Sequence, residues 1–280
     1  MKFKDKQIDL SSPRVMGILN LTPDSFSDGG KYTQIETALK QTQQMLSEGA
    51  VFIDVGGEST RPGAPEVSVQ EELHRVIPVI EAIAQRFDTV VSIDTSKAEV
   101  MSEAVSAGAA FINDVRALRQ PGALAAASAA GVPVCLMHMQ GQPRSMQSAP
   151  SYSDVVTQVR TFLQERIAAC EKAGIGKTQI IVDPGFGFGK SLEHNFELLE
   201  NLELLHDLGL PVLAGMSRKS MLGQLLDREV SERLAGSIAV ATVAAQKGVQ
   251  IIRVHDVKQT VDAVKVVSKL NAYRKNNSGR

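Results

Sequence analysis

Cysteine is nearly missing from this chain. Only Cys135, inside the apolar run VPVCLM, and Cys170, in a stretch of helical periodicity, carry thiols. Two such residues fit a reduced compartment and a packing role better than a disulfide framework. An excess of either charge is missing as well. Lys and Arg number 30 against 31 Asp and Glu, so no basic field invites nucleic acid and no acidic run marks a disordered tail, which leaves a small molecule as the default partner. No stretch reaches the roughly 18 uninterrupted apolar residues of a membrane span. The charged start MKFKDKQIDLSSP has no apolar segment behind it, and the expectation is a cytoplasmic protein without a membrane partner. The glycine-rich stretches DVGGESTRPG (54–63) and DPGFGFGK (183–190) are not nucleotide loops: there is no GxxxxGK(S/T), and no GxGxxG opens a helix after the first strand. No His/Cys cluster has metal-ligand spacing.

What the sequence does have is alternation. Short β-branched runs are each followed by a longer segment of helical periodicity. The runs are RVMGILN (14–20), VFIDVGG (51–57), TVVSIDT (89–95), FINDVR (111–116), VPVCLMHM (132–139), QIIVDPG (179–185), PVLAGMS (211–217) and QIIRVHD (250–256). Eight strand and helix pairs in an unbroken chain predict a single-domain α/β fold, a (β/α)8 TIM barrel, rather than a doubly wound open sheet. Residues 1–13 read as an N-terminal extension and 275–280 as a fraying tail.

Most of these strands end in polar residues: Asn20, Asp54, Asp94, Asn113, Asp183, Ser217 to Lys219, Arg253 and His255. The C-terminal ends of barrel strands form the catalytic face, so these side chains are expected to converge on one mouth. Parity refines this, because inward residues alternate: Arg253 and His255 point the same way, as do Asn113 and Val115, whereas Met137 and His138 cannot both face the lumen. One buried Asp would be an ordinary structural carboxylate. Asp94 and Asp183 with Asn113 look like a recognition set, since carboxylates accept paired hydrogen bonds from an amidine-like edge and Asn adds one donor and one acceptor. Their natural partner is a flat nitrogen heterocycle such as a 2-aminopyrimidinone, with Met137, Val115 and Phe188 as apolar walls. Arg61, Arg253 and His255 add positive charge for an anion. Asn20 offers an oxygen to a Mg2+ travelling with a diphosphate, and Ser217 and Lys219 lie where the seventh helix begins. His138 reads as a hydrogen-bonded structural residue.

The motifs GILNLTPDSFSDGG, IDVGGESTRPG, IDTSK, INDV, DPGFGFGK, GMSRKS and IRVHDV, in this order, resemble the bacterial-type dihydropteroate synthase family across essentially the whole chain. The resemblance implies an enzyme that joins 4-aminobenzoate to 6-hydroxymethyl-7,8-dihydropterin diphosphate, with Mg2+ as cofactor and sulfonamides as inhibitors. It implies pterin binding by Asp94, Asn113, Asp183 and Lys219, with Val115, Met137, Phe188 and Gly215 lining the ring and Arg253 stacking on it. Diphosphate and Mg2+ fall to Asn20, Arg61, Arg253 and His255, and aminobenzoate to Phe26, Thr60, Arg61, Pro62, Ser217 and Lys219. The long loop TPDSFSDGG, with Phe26 at its centre, is then expected to close over the reacting centre together with ESTRPG. Catalysis would be mainly electrostatic, carried by Asp94, Asp183, Lys219, Arg61, Arg253 and His255. Competing readings are a pterin-dependent methyltransferase acting on a corrinoid, a Schiff-base lyase built on Lys219, and a pterin carrier without turnover. The segment SERLAGSIAVATVAAQKG (231–248) is apolar on nearly every side, which predicts a homodimer.

Overall fold

A short hairpin opens the chain, with β1 (Lys2–Phe3) pairing antiparallel with β2 (Lys6–Gln7). Eight parallel strands follow: β3 (Arg14–Asn20), β4 (Phe52–Gly56), β5 (Val90–Asp94), β6 (Phe111–Asp114), β7 (Val134–Met137), β8 (Ile180–Asp183), β9 (Leu213–Ala214) and β10 (Ile251–Val254). The computed structural model describes residues 1–21, 31–59, 64–142, 146–147 and 149–277, apart from the side chains of 31–33 and 275–277. All eight strands coincide with the runs expected from the sequence. They lie in the order β8-β7-β6-β5-β4-β3-β10-β9, and a parallel bridge between Val182 and Val212 closes β8 onto β9. The result is a TIM barrel.

Helices α1 (Lys31–Ser47), α2 (Val69–Arg86), α3 (Ala98–Ser106), α4 (Ala123–Ala130), α5 (Val155–Lys172), α6 (Leu192–Glu200), α7 (Ser220–Leu226), α8 (Leu234–Gln246) and α9 (Val257–Asn277) form the outer ring. Their starts are written locally. Ser68 caps α2 by accepting from Glu71 N, and Asp154 caps α5 by accepting from Thr157 N, each satisfying a backbone donor that helix geometry leaves free. In α5 the buried residues Val155, Val159, Leu163, Ile167 and Cys170 recur at the spacing that puts one face on the strands. Ser191 and His194 form a capping box at α6, which gives that histidine a structural task. The last helix runs to Asn277, so the expected tail is helical over its first three residues. Among the described residues no helix is long and apolar enough to cross a membrane.

Strand parity divides the interior. Val15, Ile53, Val91, Ile112, Val134 and Ile252 face the helices in the larger core. Residues of the opposite parity fill the lumen, and the lowest layer is apolar: Met16, Phe52, Val90, Phe111, Cys135, Ile181, Leu213 and Ile251. Phe3, carried by the hairpin, seals this layer from below and is fully buried. Its ring meets Phe52 at 5.2 Å and Phe111 at 5.5 Å, both edge-on, a geometry that aromatic quadrupoles favour. Residues 1–13 are therefore the floor of the barrel, more than an extension.

Candidate active site

Two residues further along each strand, the same inward parity delivers polar groups. Asp54 stands above Phe52, Ser92 above Val90 and Asn113 above Phe111, and all three are buried. Asp54 is the hub. Its Oδ2 accepts from Arg253 Nε at 2.6 Å and from Asn113 Nδ2 at 3.1 Å, while Arg253 reaches over with Nη2 to Asp94 Oδ2 at 2.8 Å. Two carboxylates thus share one guanidinium at the mouth of the lumen. Burial pushes the Asp94 carboxyl up to about 7; Arg253 opposes this, and the neighbouring Asp54 and Glu72 add to it. For Arg253 burial acts against the charge, but Asp54 and Asp94 outweigh it and the guanidinium is held above its ordinary range.

Across the mouth, Asp183 accepts from Gly185 N at 2.7 Å. Burial raises its carboxyl above the usual range, with Lys219 and that N–H opposing. Lys219 donates to the Phe186 carbonyl and sits 4.5 Å from the Phe188 ring centre. Burial lowers its ammonium to about 8, against the pull of Asp183. Val115, Met137 and Phe188 gather with Met139 and Met146 into a separate apolar cluster. Gly215 lies against the aliphatic part of Arg253, where an added Cβ would meet Cβ of that arginine at 3.7 Å. Ser217 Oγ accepts from His255 N at 3.2 Å and lies 3.1 Å from His255 Nδ1. Thus Asp94 and Asn113 come together through Arg253 and Asp54, Lys219 lies over Phe188 with Asp183 acting on its charge, and Ser217 joins His255. Phe26, Thr60, Arg61 and Pro62 lie outside the described residues.

The loop DPGFGFGK owes its shape to a residue that sequence reasoning passed over. Lys190 is buried, and its ammonium donates to the Gly185 and Phe188 carbonyls at 2.9 and 3.1 Å and to His138 Nδ1 at 3.0 Å. These three acceptors take up its three protons, and the His138 carbonyl lies further off at 3.5 Å. Gly185 has φ +71°, and a Cβ there would collide with the His138 carbonyl oxygen. His138 points away from the lumen, as parity requires. Burial and the adjacent Lys190 hold its imidazole far below its ordinary value, which makes it a neutral acceptor and no proton shuttle. Asp54, expected at the mouth as a strand-end residue but given no role of its own there, proves to be the group that ties Arg253 and Asn113 together. On the second glycine-rich loop, Lys97 bridges Glu58 and the buried Glu72, and Glu58 Oε1 accepts from Val67 N at 3.3 Å.

Asn20 Oδ1 lies near Gly56 and Asp94: a Cβ on Gly56 would stand 3.7 Å from that oxygen and 3.8 Å from Asp94 Oδ2. No group of three His, Cys, Asp or Glu among the described residues is arranged to hold a metal. This donor set fits an ion that takes one protein oxygen and fills its shell with water and phosphate, as Mg2+ does.

Residues 16–255 match the family model described as pterin binding enzyme. The chain belongs to the pterin-binding enzyme family. Within that family it is 60% identical over 260 residues to dihydropteroate synthase of Escherichia coli strain K12, covering 93% of this chain and 92% of that one. It is similar to a crystal structure of Yersinia pestis dihydropteroate synthase with a sulfonamide drug, at a TM-score of 0.93 and 57% identity over 97% of this chain and 99% of the other. A Xanthomonas albilineans dihydropteroate synthase with 4-aminobenzoic acid superposes at a TM-score of 0.89 and 55% identity over 94% of each chain.

Proposed function

We propose that this chain condenses 6-hydroxymethyl-7,8-dihydropterin diphosphate with 4-aminobenzoate, giving 7,8-dihydropteroate and diphosphate in folate biosynthesis. One observation carries the reading: two carboxylates, Asp183 buried and Asp94 one-tenth exposed, face a mouth that also holds Asn113 and is walled by Val115, Met137 and Phe188. That arrangement complements the N–H edge and the flat faces of a pterin.

Asp94, Asn113 and Asp183 bind the pterin edge, Lys219 and Phe188 flank the ring, and Gly215 leaves room for Arg253 beside it. Arg253, His255 and Arg61 bind the diphosphate, and Asn20 holds the Mg2+ that accompanies it. When bound, that ion neutralises charge on the departing oxygens. The methylene carbon loses its bond to the diphosphate oxygen and gains one to the aromatic nitrogen, whose proton leaves for solvent. An aromatic amine is unprotonated at neutral pH and needs no dedicated base. Asp94 and Asp183 stabilise the positive charge that develops on the pterin, and Arg253 and His255 the negative charge on the leaving group. Phe26, Thr60, Arg61, Pro62, Ser217 and Lys219 form the aminobenzoate site, where sulfonamides compete. Location in the cytoplasm is part of the same proposal.

A homodimer belongs to it too. Leu226 and Val230 ahead of α8 and Leu234 at its start, with Val266, Leu270 and Tyr273 on α9, are exposed at 37% or more, and a second copy would cover them. Sedimentation at micromolar concentration giving only a ~30 kDa species would count against the dimer. The activity itself is tested by chromatographic detection of dihydropteroate from the two substrates with Mg2+, and a folded enzyme that forms none overturns the reading. A Schiff-base lyase would instead give a borohydride-trapped adduct on Lys219.

A further inference from the structure

Between Ser217 and Lys219 stands Arg218, in a backbone conformation that side-chain-bearing residues seldom adopt, with φ +57°. That conformation is strained for a residue with a Cβ and persists only where the surroundings enforce it. Here they do so from three directions. Arg218 N donates to Ser237 Oγ on α8 at 2.9 Å, Arg233 Nη1 donates to the Arg218 carbonyl at 3.1 Å, and the guanidinium forms a two-pronged pair with Asp256, Nε to Oδ2 at 2.9 Å and Nη2 to Oδ1. Asp256 directly follows His255 and sits at the start of α9, where its carbonyl accepts from Thr260 N.

We infer that Arg218 is a positioning residue whose ion pair with Asp256 sets the turn carrying Ser217 and Lys219 against the strand end carrying His255, and so shapes the amine half of the mouth. The inference rests on the activity proposed above. Its effect falls unequally on the two substrates. Asp54 fixes Arg253 and Asn113 without help from this turn, and the Lys219 ammonium is held from outside it by the Phe186 carbonyl and the Phe188 ring, whereas Ser217 is joined to His255 across the two segments that the pair ties together.

Arg218→Gly tests this, because glycine keeps the left-handed turn at no steric cost and removes only the latch. The KM for 4-aminobenzoate is expected to rise about tenfold, while calorimetric affinity for the pterin diphosphate with Mg2+ moves less than about threefold. Arg218→Lys, which forms a single prong, is expected to fall between. Asp256→Asn attacks the same pair from its other side, and the double variant should be no worse than the poorer single one, the signature of a shared interaction. Unchanged aminobenzoate KM in both single variants, or an equal loss for both substrates, overturns the inference. Wild-type protein that forms no dihydropteroate would overturn the proposed activity instead.

Discussion

Asp54→Asn removes a charge that touches no substrate in the proposed mechanism, yet it should change the pH dependence of the reaction. Asp54 and Asp94 each lie less than 3 Å from a nitrogen of the same guanidinium, which places the carboxylates roughly 5 Å apart; at an effective dielectric near 20 their repulsion is about 3 kcal/mol, or about two pH units. In the wild-type enzyme burial first, and then Asp54 against the pull of Arg253, push the Asp94 carboxyl up to about 7. Below that pH it takes up a proton and no longer accepts from the pterin edge, so kcat/KM for the pterin substrate should fall about tenfold per pH unit. Neutralising Asp54 lifts the repulsion and leaves Arg253 to Asp94 alone, moving this limb down to about pH 5. The substrate's own ionisations are common to both enzymes, so the difference between the two profiles isolates Asp94. Stability supplies a second check. Asp94 binds its proton more tightly folded than unfolded, so the stability it contributes is fully present below about pH 4 and is lost as the pH rises through about 7; in Asp54→Asn that decline should end nearer pH 5. The lost charge-assisted hydrogen bond costs about 1.5–3 kcal/mol at any pH in this range. A folded variant whose acid limb coincides with that of wild type, or moves upward, would refute the reasoning.

Asp183→Asn and Lys219→Met should each lower kcat/KM about a hundredfold, ~2.7 kcal/mol, with little change in urea midpoint, because each removes an electrostatic contact at a preformed mouth; near-wild-type kinetics in either folded variant removes that residue from the site. Gly185→Ala combines a strained φ with a collision against the His138 carbonyl, and should cost at least about 2 kcal/mol in urea unfolding. Phe3→Ala should cost about 3–5 kcal/mol and leave kcat/KM per folded molecule intact well below the urea midpoint, since the ring lies at the barrel end away from the mouth.

Parity made the barrel legible. Once RVMGILN, FIDVG and VVSID are read as strands, period-two alternation alone sends Asn20, Asp54 and Asp94 inward, and the C-terminal ends gather the rest. What the sequence hides is which inward residues become partners. Arg253 and Asp54 are 199 positions apart, and their contact exists only because β10 and β4 both flank β3. No local pattern encodes that. Lys190 was obscured for a different reason: a lysine after a glycine-rich loop usually points to solvent or to a phosphate, and its three acceptors appear only when the left-handed glycines wrap their carbonyls around it. The hairpin escaped notice because two-residue strands carry no periodicity, and Phe3 alone marks the place where the barrel needs a floor.

The buried charges are better understood as preorganisation than as stability. Removing Asp54, Asp94 and Arg253 from water costs several kcal/mol per ion, and apolar replacements of matching shape often stabilise such a layer. The barrel tolerates the layer because the stratum beneath it is wholly apolar and sealed by three edge-packed phenylalanines. Two carboxylates against one guanidinium leave the layer one negative charge in surplus before any proton binds. In solution water would screen that charge, and its dipoles would have to reorient each time positive charge developed on a reacting ring. Here the surplus is already oriented toward the mouth by Arg253 and Asn113, so the reaction meets a field that needs no rearrangement. On this account the layer is retained for the field it supplies and not for stability, and a variant that fills it with leucine and methionine should unfold later and turn over more slowly.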